Sequence, residues 1–200
     1  MCLLRVSYLF YIGVLMLTLS SCASVNGGAS GEASKDDAAW HDVPKPYING
    51  LKAAKKDQTK WAIKLFTQST VEFPEFSPAY TNLGLQQLRV KNLTAAEKNL
   101  KKSIELNPDN AISYQHLGVI ARLNGDFDTA LLMYKKALEL DSDYAIAHLN
   151  LGILLDLYLY ELESALLHYE KYQSLAEKKD AAVSKWIVDI KRRIEKNKKS

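Results

Sequence analysis

Residues 77–110 read SPAYTNLGLQQLRVKNLTAAEKNLKKSIELNPDN. Ser77 is placed to cap a helix and Pro78 to occupy its first turn, where a missing N–H costs nothing. Leu85, Leu88 and their neighbours continue at helical spacing. A turn is expected near Lys91-Asn92. A second helix follows through Ala95, Ala96, Leu100 and Ile104. Asn107-Pro108 ends it, because proline cannot continue a helix and disfavours helix in the residue before it. The segment therefore predicts two helices joined by a tight turn.

The same unit recurs on both sides. Gly50, Gly84, Gly118 and Gly152 stand 34 residues apart, and Ala62, Ala96 and Ala130 keep that spacing. Leu83, Leu117 and Leu151 precede three of the glycines. Pro74, Pro108 and Ser142 form another column, and Phe66, Leu100 and Tyr134 a column of large apolar residues. Three further glycines falling on this period by chance has odds of about one in ten thousand. The next turn reads Asn124-Gly125-Asp126. The small columns let paired helices approach closely, and the large column is expected to fill the gap to the neighbouring unit.

This 34-residue helix-turn-helix pattern resembles the tetratricopeptide repeat (TPR). The resemblance covers residues 43–179 in units 43–76, 77–110, 111–144 and 145–179. It implies an all-α solenoid of about four units. In the first unit Asn49 stands where the others have Leu, and Pro44 and Pro46 crowd the helix start. In the last, Ala165 and Tyr169 fall 35 residues after Ala130 and Tyr134, so one residue is inserted, expected in YLYELE (158–163). Tyr172 also replaces the small residue of Ser69, Ser103 and Ala137. Terminal repeats commonly depart in this way.

Residues 180–200 are read as a capping helix with a basic tail. Val183, Ile187, Ile190 and Ile194 share one helical face, with Trp186 beside it. Residues 178–200 hold nine Lys or Arg against three Asp or Glu, a net of +6, whereas 22–177 nets −4. A solvated cap face accounts for such charge, and so does contact with anionic lipid or an acidic partner.

Composition narrows the function classes. The chain has 200 residues, of which 48% are hydrophobic, enough to build a core. Its formal charge of +3 is too mild for nucleic-acid binding. The two cysteines, Cys2 and Cys22, both precede the repeats. That excludes a zinc or disulfide framework, and a cysteine nucleophile, in the folded part.

The N-terminus reads as an address. Arg5 precedes an apolar run from Val6 to Leu19, 14 residues against the roughly 20 that span a bilayer. This is the pattern of a signal peptide over residues 1–21. Leu19-Ser20-Ser21-Cys22 resembles the lipobox of bacterial lipoproteins, which implies acyl chains on Cys22. Residues 22–42, rich in Gly, Ser, Ala and Asp after the cysteine, then form a flexible tether of roughly 25 Å reach. Ala23 and Ser24 offer no aspartate at the position linked to inner-membrane retention. In a Gram-negative envelope the resemblance thus implies the outer membrane, periplasmic face.

No GxSxG, P-loop, HExxH or dinucleotide fingerprint occurs. His41, His116, His148 and His168 read as scattered. His148 shares the column of Tyr80 and Tyr114, which suggests helix packing, and a metal site from His116 and His148 would lack further ligands. No cofactor, no metal and no catalysis are expected.

In the TPR reading, the first helix of each unit lines a concave face. The 34-residue offset places Tyr47, Thr81, Gln115 and Leu149 in one row, and Leu51, Leu85, Val119 and Ile153 in a second. A third row is Ala54, Leu88, Arg122 and Asp156, and a fourth Lys55, Arg89, Leu123 and Leu157. Such a face suits an extended or helical peptide, with Arg89 and Arg122 ready for a carboxylate or carbonyl. The set that clamps an acidic chain end in some TPR domains is matched only at Asn82. Leu51, Ile112 and His116 occupy the other places. The expected function is a non-catalytic adaptor that recruits an envelope protein, in a layout similar to pilotin, Tad-pilus or NlpI-like lipoproteins. The alternative is a scaffold that associates with itself, for example as a homodimer.

Overall fold

The computed structural model describes residues 43–199. The proposed signal peptide, Cys22 and tether lie outside the described residues. Helices α1 (Lys45–Lys55) and α2 (Thr59–Glu72) form a first hairpin; α3 (Ser77–Arg89) and α4 (Leu93–Leu106) a second. The third is α5 (Ala111–Leu123) with α6 (Phe127–Leu140), and the fourth α7 (Ala145–Leu157) with α8 (Leu162–Leu175). Helix α9 (Ala181–Asn197) packs on α8. Among the described residues every regular element is a helix. None of these helices is long and apolar enough to cross a membrane.

Local chemistry sets the helix ends. Asn92, Asn110 and Asp126 accept hydrogen bonds from the backbone N–H groups of Ala95, Ser113 and Thr129, and Asp180 from Ala182 and Val183. The turn inside each hairpin holds one residue in the left-handed region: Asp57, Lys91, Gly125 and Tyr160. The first three keep the 34-residue period. Tyr160 is displaced by one, so the inserted residue lies in this turn. Ser77 does not cap α3. Phe76 occupies that position, and Ser77 is the first helical residue, buried, with its Oγ donating to the carbonyl of Ser103 at 3.0 Å. An apolar neighbour at the cap and a buried acceptor nearby outweigh the local preference.

The glycine column has a steric cause. A Cβ on Gly118 would stand 2.6 Å from Cε1 of Tyr134; on Gly50 it would stand 2.6 Å from Phe66, and on Gly152 2.7 Å from Tyr169. The large column therefore lies against the glycine of its own unit, instead of serving first to fill the gap between units. Phe66, Leu100 and Tyr134 are completely buried there.

Each second helix also packs on the first helix of the next unit. The largest apolar cluster gathers Tyr134, Leu154, Tyr169, Val183, Ile190 and Ile194, joining units three and four to the cap. Units one and two have smaller clusters around Phe66 and Leu100. Between units two and three the cluster around Leu100, which takes in Leu117 and Ile120, is joined by a buried polar network. Ser103 Oγ lies 2.7 Å from Thr81 Oγ1 and accepts from Asn110 Nδ2 at 3.0 Å and from Ser113 Oγ at 3.1 Å.

Candidate functional site

The first helices α1, α3, α5 and α7 carry the residues expected to meet a partner. Helix α3 touches α5, and α5 touches α7. The second row, Leu51, Leu85, Val119 and Ile153, is half-buried along this line of helices. Leu88, Arg122 and Leu149 are half-buried beside it. The fourth row is open to solvent. Lys55 and Arg89 present charge, and Leu123 and Leu157 are each 56% exposed. Aliphatic side chains left that open on consecutive units are the feature a partner can cover.

Three of the expected contact residues are withdrawn from that face. Thr81 is 5% exposed and belongs to the hydroxyl network under α3. Gln115 is 1% exposed, and its Oε1 has no hydrogen-bond partner. Asp156 is buried, where it accepts from Arg193 Nη1 at 2.6 Å and from the Tyr169 hydroxyl at 3.4 Å. Burial beside this carboxylate raises the Tyr169 phenol far above its ordinary range. A helical offset gives the direction of a side chain but not what the next unit lays over it.

Tyr47 remains half-buried, with its ring edge-on to Phe76 at 5.0 Å. Its hydroxyl accepts from Asn82 Nδ2 at 3.0 Å, although burial outweighs this bond and raises its pKa. The one residue that matched the acidic-tail clamp is thus engaged by Tyr47. The two residues flank a cleft of about 460 Å³ with a mixed lining, to which Pro78, Asp109, Ile112 and Asp141 also contribute.

The two arginines differ. Arg89 pairs with Asp57 at 2.7 Å, both side chains well exposed. Such a pair is worth about 0–1 kcal/mol and yields readily to a ligand carboxylate. Arg122 turns its Nε to the Tyr134 hydroxyl at 3.4 Å, which ties it to the core. Only Arg89 is placed to exchange its partner at low cost.

The opposite side holds a feature the histidine spacing does not reveal. His148 on α7 and His168 on α8 face each other, Nδ1 to Nδ1, at 2.9 Å. The second nitrogen of His148, Nε2, donates to the carbonyl of Ser142 at 3.1 Å, which leaves its Nδ1 to accept from His168. The ring centroids are 5.1 Å apart, as suits a hydrogen bond nearly in line with both rings. Burial, then His148, then Lys135 push His168 down to about 4. Among the described residues no three His, Cys, Asp or Glu converge on one point. The pair borders a pocket of about 360 Å³ with Leu138 and Leu151. One unit earlier Tyr114 and Met133 border its counterpart, of about 300 Å³. Counting the inserted residue would have set His168 in the Met133 column, next to His148.

Comparison with known proteins agrees with this geometry. Family models described as tetratricopeptide repeat match residues 77–110 and 99–131, and one described as TPR repeat matches 118–155. No curated protein matches. Among solved structures, MamA is 25% identical, with 64% of this chain and 70% of that one covered and a TM-score of 0.56. A thermophilic TPR protein of Thermus thermophilus, TTC0263, is 21% identical over 74% of this chain and 81% of its own, with a TM-score of 0.62. An O-GlcNAc transferase mutant of Thermobaculum terrenum is 22% identical over 64% of this chain, with a TM-score of 0.60. The match spans 25% of that transferase. The fold is a TPR solenoid, and residues 77–155 carry tetratricopeptide repeats.

Proposed function

We propose that this chain is a non-catalytic adaptor that holds an apolar segment of an envelope protein along its first helices. The observation that carries this reading is the half-buried row Leu51, Leu85, Val119 and Ile153 beside the exposed Leu123 and Leu157. In the row of Leu123 and Leu157, Arg89 stands one unit earlier, held only by a surface ion pair. An apolar segment with a carboxylate near one end fits this order. Tyr47, Leu51, Leu88, Val119, Arg122, Leu149 and Ile153 complete the contact set. Thr81, Gln115 and Asp156 act behind it as supports.

The lipobox-like Leu19-Ser20-Ser21-Cys22 supports anchoring by acyl chains on Cys22. The outer membrane, periplasmic face, is the proposed location in a Gram-negative envelope. Cys22→Ser is then expected to leave an unprocessed or released protein. Normal processing with an unchanged membrane fraction would count against the anchor.

The adaptor is tested by affinity capture from solubilised envelope with residues 23–200, alongside Leu85→Asp/Arg89→Glu. A partner lost with the folded double variant supports the reading, and a partner retained moves the site off the first helices. A self-associating scaffold is favoured by a different observation. Leu132 and Leu167, in one column of the second helices, are 61% and 68% exposed. Sedimentation of the same protein separates the two readings.

A further inference from the structure

Helix α9 has two faces of opposite character. Val183, Ile190 and Ile194 are buried against the fourth unit. On the other side Lys185, Val188, Arg192, Lys196 and Lys199 recur at spacings of three and four, and all are exposed. Lys185 to Lys196 form one stripe of about 17 Å along the helix, and Lys199 follows just past its end. Val188, the apolar member, is 69% exposed. Arg192 pairs with Asp189. Lys185, Lys196 and Lys199 have no carboxylate within ion-pair distance among the described residues. Glu195 and Asp189 flank the stripe without filling it.

We infer that this stripe is a docking surface for an anionic lipid bilayer. Charge complementarity selects the occupant. Residues 178–200 carry a net +6, whereas 22–177 carry a net −4 despite the lysines of the first unit, so the cap is the most positive segment of this length. A protein hot spot needs an aromatic or aliphatic anchor and a pocket to receive it. This face is a single convex helix whose one apolar residue stands between cations. Anionic headgroups require only cations within a Debye length, and an aliphatic side chain set among them can reach the acyl boundary. The inference deepens the lipid-anchored reading above: acyl chains hold the chain near a bilayer, and the cap engages its surface.

The test exploits the absence of cysteine after residue 22. In the full chain carrying Cys2→Ser and Cys22→Ser, Val188→Cys takes a polarity-sensitive fluorophore. The probe then reports the cap alone, whatever the N-terminal apolar run does. With phosphatidylglycerol vesicles the probe emission is expected to shift to the blue, and 0.5 M salt to reverse it. Phosphatidylcholine vesicles are expected to give no shift. Each cation removed weakens binding about fivefold. Lys185→Gln, Arg192→Gln, Lys196→Gln and Lys199→Gln together should weaken it at least about a hundredfold, with helical circular dichroism unchanged. The proposal is overturned by no shift, by an equal shift on neutral vesicles, or by a shift that survives the four substitutions. A shift produced by polyglutamate and not by vesicles overturns it in favour of an acidic protein. Acyl incorporation at Cys22, measured separately in cells, tests the anchor, so either reading can fail alone.

Discussion

Asp156 on α7 and Arg193 on α9, 37 residues apart in sequence, meet at 2.6 Å and join the last repeat to the cap. The carboxylate is buried, and the guanidinium is about one-third exposed. The Tyr169 hydroxyl also donates to Asp156, so the pair stands on the aromatic residue that covers Gly152. This arrangement takes Asp156 out of the partner-binding face and gives it to the architecture.

Arg193→Met is expected to lower stability by about 2–3 kcal/mol, less than the roughly 3–5 of a fully buried pair, because it strands the carboxylate. Adding Asp156→Leu should recover most of that loss, since an apolar pair of similar volume removes the desolvation cost. Urea denaturation measures both. If Arg193→Met alone is neutral, the pair does not hold the cap.

Gly118→Ala is expected to cost about 1–3 kcal/mol through overpacking against Tyr134, more than the roughly 1 kcal/mol alanine gains in helix propensity. Gly125→Asn serves as the contrast. Gly125 has a φ of 80° with open space around it, and Asp57, Lys91 and Tyr160 hold the equivalent conformation. Its expected effect is below about 1 kcal/mol. Thermal unfolding of the two variants distinguishes close approach from backbone freedom.

Two serines of one column should respond oppositely. Ser69 is fully buried and its Oγ has no partner, so Ser69→Ala is expected to be neutral or stabilising. Ser103 is the hub of the hydroxyl network, and Ser103→Ala should cost about 1–3 kcal/mol by leaving Thr81, Asn110 and Ser113 short of a partner. Ala137 already stands in that column in unit three. Chemical denaturation of the two alanine variants side by side decides the point.

The histidine pair predicts a pH dependence with a definite sign. His168 is held down to about 4 in the fold, against about 6.5 in an unfolded chain. Between those values the unfolded state binds the proton that the folded state refuses. Stability should therefore fall as pH drops from about 6.5 to about 4, by about 1–2 kcal/mol. Lys135 and Glu139 on α6 border the same pocket, and the Asp143 carboxylate in the turn is kept low by Lys171. Because its pKa is lowered in the fold, Asp143 also loses stability as pH drops, and so it adds to the fall at the acid end instead of opposing it. His168→Gln should flatten the profile over that range, and an unchanged slope would show that other groups set it.

Legibility in the sequence followed the range of the interaction. The pairs Gly84–Leu100 and Gly118–Tyr134 lie 16 residues apart inside one hairpin, and their columns repeat. Period alone therefore exposed the hairpins, the inserted residue of the fourth turn and the apolar face of the cap. Ser77 departs from its capping preference because that preference is local, whereas its acceptor, the Ser103 carbonyl, comes from the second helix of the unit.

The amino-acid sequence by itself determined the repeat, its helices and the face each helix turns inward, because steric fit and helical spacing act over a few turns of chain. Tertiary structure alone decided which outward residues stay outward. Thr81 was covered by Ser103 and Ser113, Asp156 was claimed by Arg193, and His148 was brought to His168. Each depends on side chains meeting across helices, where burial, hydrogen-bond satisfaction and charge pairing are settled together and no local pattern records the outcome.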